Sequence, residues 1–141
     1  MMLMAFVGGE TPLVEKLTRD LAGSYRVLHV DNTDPDLTTP ERIQRVTRVI
    51  MGRQFRDRVV VVNGVDTKAE LDLLRQYNAT VCISSAPLHR IFNKSPILPT
   101  DIFVCSRPHL FQNENKKKQY ITPLDAFSVC YCRDRGIKAA V

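Results

Sequence analysis

Residues 1–23, MMLMAFVGGETPLVEKLTRDLAG, decide the fold. Met1 to Val7 is an unbroken apolar run, the signature of a strand buried on both faces. It stops at Gly8-Gly9. Leu13, Val14, Leu17 and Leu21 then recur at helical spacing, with Thr11 as N-cap, Pro12 at the first helical position and Gly23 just past the end. A strand handing over sharply to a helix has the shape of a nucleotide-binding unit. Its chemistry differs. A phosphate loop reads G-x-x-x-x-G-K-[ST], so that backbone N–H groups cradle the phosphate, Lys neutralises it and the hydroxyl holds Mg²⁺. After Gly8 the chain offers Gly9, Glu10, Thr11, Pro12, Leu13, Val14 and Glu15. The turn is too short, no Gly-Lys pair follows, and Glu10 puts negative charge where phosphate would sit.

Outward from this unit the pattern repeats. Tyr25 to Val30 reads as a second strand, close enough to the first to make a parallel βαβ start. Asn32 to Pro40 is a loop ending at a helix start near Thr39-Pro40-Glu41. In that helix Ile43, Val46, Val49 and Ile50 share one face, while Arg42, Arg45, Arg48 and Arg53 cover much of the other, as a solvated or a phosphate-binding face. Val59 to Val62, four valines between Asp57-Arg58 and Asn63-Gly64, is a buried strand at the sheet's centre. Thr67 to Tyr77 reads as a third helix and Thr80 to Ile83 as a fourth strand. Ser85 to Pro99 reads as a surface excursion, Asp101 to Cys105 as a fifth strand, and Pro108 to Tyr120, with Lys116-Lys117-Lys118, as a solvated loop. Phe127 to Arg135 is the closing helix, capped near Thr122-Pro123 and ended by Gly136. The expected architecture is one α/β domain over residues 1–141, less regular from about 85. It is a three-layer sandwich around a mainly parallel sheet of about five strands.

Composition narrows the partners. A net charge of +5 and a pI near 9.2 permit an acidic partner without requiring one. No apolar run approaches the ~20 residues that span a bilayer, and the N-terminal stretch lacks the basic flank of a signal peptide, so no membrane partner and a cytoplasmic protein are expected. Cys82, Cys105, Cys130 and Cys132 lack C-x-x-C spacing and read as reduced, mostly buried thiols; the Cys130-Tyr131-Cys132 triplet reads as packing rather than soft-metal ligation. His29, His89 and His109 have no metal spacing, and Ser84-Ser85 lacks a nucleophile elbow, so no catalytic residue, metal or cofactor is expected. His89 beside Arg90, at the end of the fourth strand, is the best placed of the histidines, since open α/β sheets bind ligands at the carboxyl ends of their strands.

Three stretches together resemble the phage-type deoxynucleoside monophosphate kinases of the P-loop nucleoside monophosphate kinase group. They are the N-terminal strand, turn and helix; Pro40-Glu41-Arg42-Ile43-Gln44 through Arg53 and Phe55, similar to the family's substrate-side helix; and Arg58 to Ile83, similar to its buried strand, acidic turn and Glu-rich helix. The resemblance covers most of residues 1–110 and implies a P-loop-kinase-like fold. The family's phosphate-loop Lys and hydroxyl have no match between Gly8 and Glu15. Its Asp-x-Arg stands here as Asn63-Gly64-Val65, and a helix Glu survives as Glu70. Phosphoryl transfer depends on positioning and on charge neutralisation by such groups. The resemblance therefore implies a catalytically degenerate member, a pseudo-kinase that acts by binding a nucleotide or a macromolecule of the bacterial host or virion, in the host cytoplasm if phage-encoded.

On that reading the nucleotide-binding residues are Gly8, Gly9, Thr11, Arg42, Gln44, Arg45, Arg53 and Arg90. An alternative is an active nucleotide-metabolising enzyme with a non-standard phosphate site of Arg42, Arg45, Arg53 and Arg90. Another is a basic nucleic-acid-associated protein using Lys116 to Lys118 and the arginine helix, although the aromatics do not interleave with the basic residues. Asp31, ~20 residues past the glycine turn, sits where a dinucleotide fold places its ribose carboxylate, but the further glycines of that fold are missing, so it reads as a strand-end turn residue. The oligomeric state is open; the edge of the fifth strand and the apolar Ile97-Leu98 are the candidate dimer surfaces.

Overall fold

The computed structural model describes residues 1–8, 11–52, 55–84 and 88–136. Six strands, β1 (Met2–Val7), β2 (Arg26–Asp31), β3 (Arg58–Val65), β4 (Thr80–Ser84), β5 (Ile102–Val104) and β6 (Tyr120–Ile121), form one sheet in the order β2-β3-β1-β4-β5-β6. Every neighbouring pair is parallel. Helices α1 (Thr11–Leu21), α2 (Thr39–Ile50), α3 (Lys68–Gln76), α4 (Glu114–Gln119) and α5 (Pro123–Asp134) complete the fold, with short 3₁₀ turns at Arg90–Asn93 and Pro108–Leu110. Among the described residues no helix is long and apolar enough to cross a membrane.

The period-two alternation of the strands sorts the core into two layers. Met2, Met4, Phe6, Val59 and Val61 pack with Leu13, Val14 and Leu17 of α1 and Phe127 and Cys130 of α5. Leu3, Ala5, Val7, Val60 and Val62 pack with Val46 and Ile50 of α2 and Leu71 and Leu74 of α3 on the other side. The faces follow from the handedness of parallel crossovers. The chain moves one way along the sheet from β1 to β2 and the opposite way from β2 to β3 and from β3 to β4, so α1 lies on one face and α2 and α3 on the other. The order also differs from the 3-2-1-4-5-6 of dinucleotide-binding sheets, because β2 rather than β3 is outermost.

Local signals account for the helix starts. Thr38 caps α2 and Thr67 caps α3, each in a reciprocal capping box with a glutamate three residues on, Glu41 and Glu70. The Thr38 hydroxyl and N–H hold the exposed Glu41 carboxyl below its usual range. Thr122 caps α5 and Pro123 opens it, as its sequence predicts. Thr11, expected as the cap of α1, is its first residue instead; the position before it lies outside the described residues.

Four expectations change. The sheet has six strands rather than five, because Tyr120 and Ile121 pair with Phe103 and Val104. That pairing covers β5, which is therefore not an edge; β2 and β6 are the edges. The β3 strand is interior but one place from the edge, and β1 and β4 hold the centre. The lysine run is not a loop. Asn113 caps α4, Lys117 pairs with Glu114, and Lys116 sits over the Phe111 ring, so local bonding orders a segment whose charge suggested solvation alone.

All four cysteines are free thiols; Cys82 and Cys130 are buried and Cys105 and Cys132 half-buried. Burial pushes the Cys82 and Cys130 thiols up, which leaves little reactive thiolate there at neutral pH. Ellman's reagent on the native protein is expected to modify Cys105 and Cys132 first and to reach Cys82 and Cys130 only on unfolding. Equal rates at all four, read by mass spectrometry of peptides, would contradict this packing.

Candidate functional site

In an open parallel sheet the connections leaving neighbouring strands to opposite faces open a crevice at the strands' carboxyl ends. Here that crevice lies where β1, which leads to α1 on one face, meets β3, which leads to α3 on the other. Two glycines shape it. Gly8 has a φ of +84° and donates its N–H to the Val65 carbonyl at 3.0 Å, locking the turn out of β1 to the end of β3. Gly64 has a φ of +82°, and a Cβ there would lie 2.7 Å from the backbone carbon of Asn32 and the nitrogen of Thr33. The β1–β3 register slips at this point, with Phe6 opposite Asn63 but Val7 opposite Val65.

Beneath the surface of this edge is a buried ionic network. Arg42 on α2 is only 4% exposed and Glu70 on α3 is fully buried. One Arg42 terminal nitrogen donates to the carbonyls of Asn32 at 2.7 Å and Gly64 at 3.1 Å and to Glu70 Oε1 at 3.4 Å. The other donates to the Asp34 carbonyl, and Nε to that of Leu37. Glu70 Oε1 also accepts from the N–H groups of Asp66 and Thr67 and from the Thr67 hydroxyl, while Oε2 accepts from Asn32 Nδ2 at 3.1 Å. The side chain therefore ties together the end of β2, the 32–38 loop, the end of β3 and the start of α3.

Above the network, Asp66, His89 and Arg90 meet. His89 Nδ1 accepts from the Ile91 N–H at 3.0 Å and caps the 3₁₀ turn, so the ring proton is on Nε2, which donates to Asp66 Oδ1 at 2.9 Å. Both ring nitrogens are used. Arg90, an exposed side chain, donates to the same carboxylate at 3.2 Å. The His89 ring lies against the Gly8 turn, its Cδ2 3.6 Å from where a Cβ would stand. A cleft of about 510 Å³ opens beside this cluster, lined by Asp66, Thr67, Lys68, Arg90, Ile91, Asn93 and Lys94.

Asn63 is the exception to this polar economy. It is fully buried, and among the described residues neither its Nδ2 nor its Oδ1 has a partner. By the alternation along β3 it shares the sheet face of Val59 and Val61, the face that α1 covers. Because α1 runs back along the strands, its first turn stands at the carboxyl ends, where Asn63 sits.

The expected site residues are dispersed by this geometry. Gly8 lies at the crevice, Thr11 opens α1, and Gly9 and Arg53 lie outside the described residues. Arg42 does not belong to a solvated helix face; five acceptors consume its guanidinium inside the protein. Arg45 is exposed, with bonds to Asn32 Oδ1 at 3.0 Å and the Asp31 carbonyl at 2.9 Å. Gln44 is exposed on α2. Arg90 is at the β4 side, held by Asp66. Asp31 serves as a turn residue: the Thr33 hydroxyl and N–H bond its carboxylate and hold it below the usual range, with His29 and Arg45 adding to the effect. Among the described residues no group of three or more His, Cys, Asp or Glu is placed to hold a metal. Sequence reasoning missed Asp66 and Asn32; the Thr67-x-x-Glu70 box was a readable signal for the first, and Asn32 had none.

Comparison with family models, with curated proteins and with solved structures gives no match for this chain.

Gly64→Ala is expected to cost roughly 2–4 kcal/mol, since the positive φ and the contact with the 32–33 backbone act together. Chemical denaturation measures it; a loss below about 0.5 kcal/mol would show that β3 and the β2 loop can part freely.

Proposed function

We propose that the chain is a catalytically degenerate relative of the phage-type deoxynucleoside monophosphate kinases, binding a nucleotide at the carboxyl edge of its sheet without transferring phosphate. The observation that carries the reading is Asn63. A buried amide with an unused donor and an unused acceptor costs about 1–3 kcal/mol, and a ligand that supplies both partners recovers it. A nucleotide carries both hydrogen-bonding polarities on its sugar and base. The cleft beside Asp66, on the α3 side of the same sheet edge, carries Arg90, Lys68 and Lys94, of which Arg90 pairs with Asp66 and Lys68 with Asp72 in surface ion pairs that a phosphate can displace.

The absence of transfer follows from how the edge spends its charged groups. Arg42 is buried and bound by four carbonyls and Glu70, so its guanidinium is not presented to a phosphate. With both ring nitrogens engaged, His89 has no free site to take a proton from an attacking hydroxyl. An active enzyme using Arg42, Arg45, Arg53 and Arg90 would need Arg42 released from the interior. The lysine run offers little to a nucleic-acid reading, since Lys116 and Lys117 already have intramolecular partners.

Thermal unfolding with a panel of nucleoside mono- and triphosphates, with and without Mg²⁺, tests the proposal. A nucleotide at about 100 times its Kd is expected to add about 2.7 kcal/mol. Asn63→Leu is expected to abolish that shift while leaving the free protein as stable or about 1 kcal/mol more so. No stabilisation by any nucleotide at millimolar concentration would overturn the binding reading, and measured transfer from ATP would overturn its non-catalytic part.

A further inference from the structure

A second cleft, of about 460 Å³, lies on the face of the sheet that α1 and α5 cover, and it shares no lining residue with the cleft beside Asp66. The connections leaving β5 and β6 build one wall, through Arg107 and the Thr122–Leu124 segment, and α1 builds the other. Pro12, Lys16 and Asp20 follow one another at four-residue spacing, so they form a row along α1 that runs about 12 Å. Leu13 and Leu17, each one position on, are buried and close the floor.

Positive charge collects here without partners. Lys16, Arg19 and Arg107 line the cleft and are exposed, and among the described residues none of the three has an ion pair, a side-chain hydrogen bond or a ring contact. Carboxylates are close in sequence. Asp20 follows Lys16, and Arg19 follows Glu15, at the same four-residue spacing that closes Lys68 on Asp72 in α3, yet neither pair forms. Asp125, in the first turn of α5, makes no ion pair either. Three cations therefore face a cleft whose one lining carboxylate, Asp20, is bonded to none of them. Like charges around a concave surface reinforce one another's potential, and an anion that enters lowers it.

Apolar surface lies beside the cations. Pro12, Pro123 and Leu124, the last 48% exposed, continue the floor that Leu13 and Leu17 begin. A bare ion would leave most of this volume and all of this surface in water. Apolar walls with a few placed polar groups are the usual form of a small-molecule site. We infer that the cleft binds a small phosphate monoester with an apolar body. The phosphate carries a charge of about −2 and three free oxygens, which suits three cations set against one carboxylate. Arg19 and Arg107 supply N–H donors to those oxygens, Lys16 adds a point charge, and the body covers Leu124 and the prolines. The inference does not depend on the nucleotide reading, which rests on Asn63.

Titration of the full chain with 1-naphthyl phosphate, followed by residue-resolved amide NMR, tests this. Saturable shifts are expected at Lys16, Arg107 and Leu124, with a Kd below about 1 mM. Inorganic phosphate and 1-naphthol, each lacking one half of the probe, are expected to bind at least about tenfold more weakly. Lys16→Gln, Arg19→Gln and Arg107→Gln, all on exposed side chains, are each expected to weaken binding about tenfold at an unchanged melting midpoint. A variant that fails to fold leaves the other two to decide. Asn63→Leu is expected to leave binding of the probe unchanged, which separates this cleft from the nucleotide crevice. The inference is overturned if the probe causes no saturable shift at these residues, if inorganic phosphate or 1-naphthol binds as tightly, if any folded glutamine variant binds as the wild type does, or if Asn63→Leu abolishes binding, which would assign the probe to the crevice.

Discussion

The Arg42–Glu70 ion pair, closed by Asn32, is the constraint on which the carboxyl edge of this protein depends. Three polar groups are buried between α2, α3 and the ends of β2 and β3, and each is bonded. Burying two charges carries a large desolvation penalty, recovered only where geometry and further hydrogen bonds are good. Here the guanidinium also bonds four backbone carbonyls, those of Asn32, Asp34 and Leu37 in the loop after β2 and that of Gly64 near the end of β3, so its value is as much in organising loop backbone as in pairing with Glu70. Gly64 makes this possible by letting the β2 loop approach the β3 backbone to within contact distance.

The same network separates the polar groups of the edge into two kinds. Arg42, Glu70, Asn32 and His89 are engaged within the fold and hold the edge in place. Among the described residues Asn63 has no side-chain partner, and the cleft cations Arg90 and Lys68 are held only in surface ion pairs with Asp66 and Asp72. The function proposed above rests on this contrast: the central arginine and the best-placed histidine are spent on internal bonds, while the amide of Asn63 has no partner among the described residues. That division, rather than the mere loss of a phosphate-loop lysine, is the physical basis of the proposed function.

Much of this architecture was legible in the sequence, because the signals involved were local. The unbroken runs Met2–Val7 and Val59–Val62, the helical spacing of Leu13, Val14, Leu17 and Leu21, and the cap at Thr122 each follow from neighbours within one turn or one strand. What escaped was non-local. Nothing near Arg42 in the chain indicates that it points inward, since its acceptors come from residues 32, 34, 37, 64 and 70, and its flanking arginines imitate a solvated face. β6 escaped because two residues carry no periodicity, and their pairing with β5 is set by the tertiary fold. Asn63 was visible as a departure from a motif, but its lack of partners only a three-dimensional arrangement reveals.

The stabilities of Arg42→Met, Glu70→Leu and the double variant, measured by urea denaturation, test the central claim most directly. Each single substitution strands a buried partner and is predicted to cost about 3–5 kcal/mol, with the double variant losing far less than the sum. An Arg42→Met protein within about 0.5 kcal/mol of the wild type would contradict the account, because a guanidinium so easily lost was never holding the edge together.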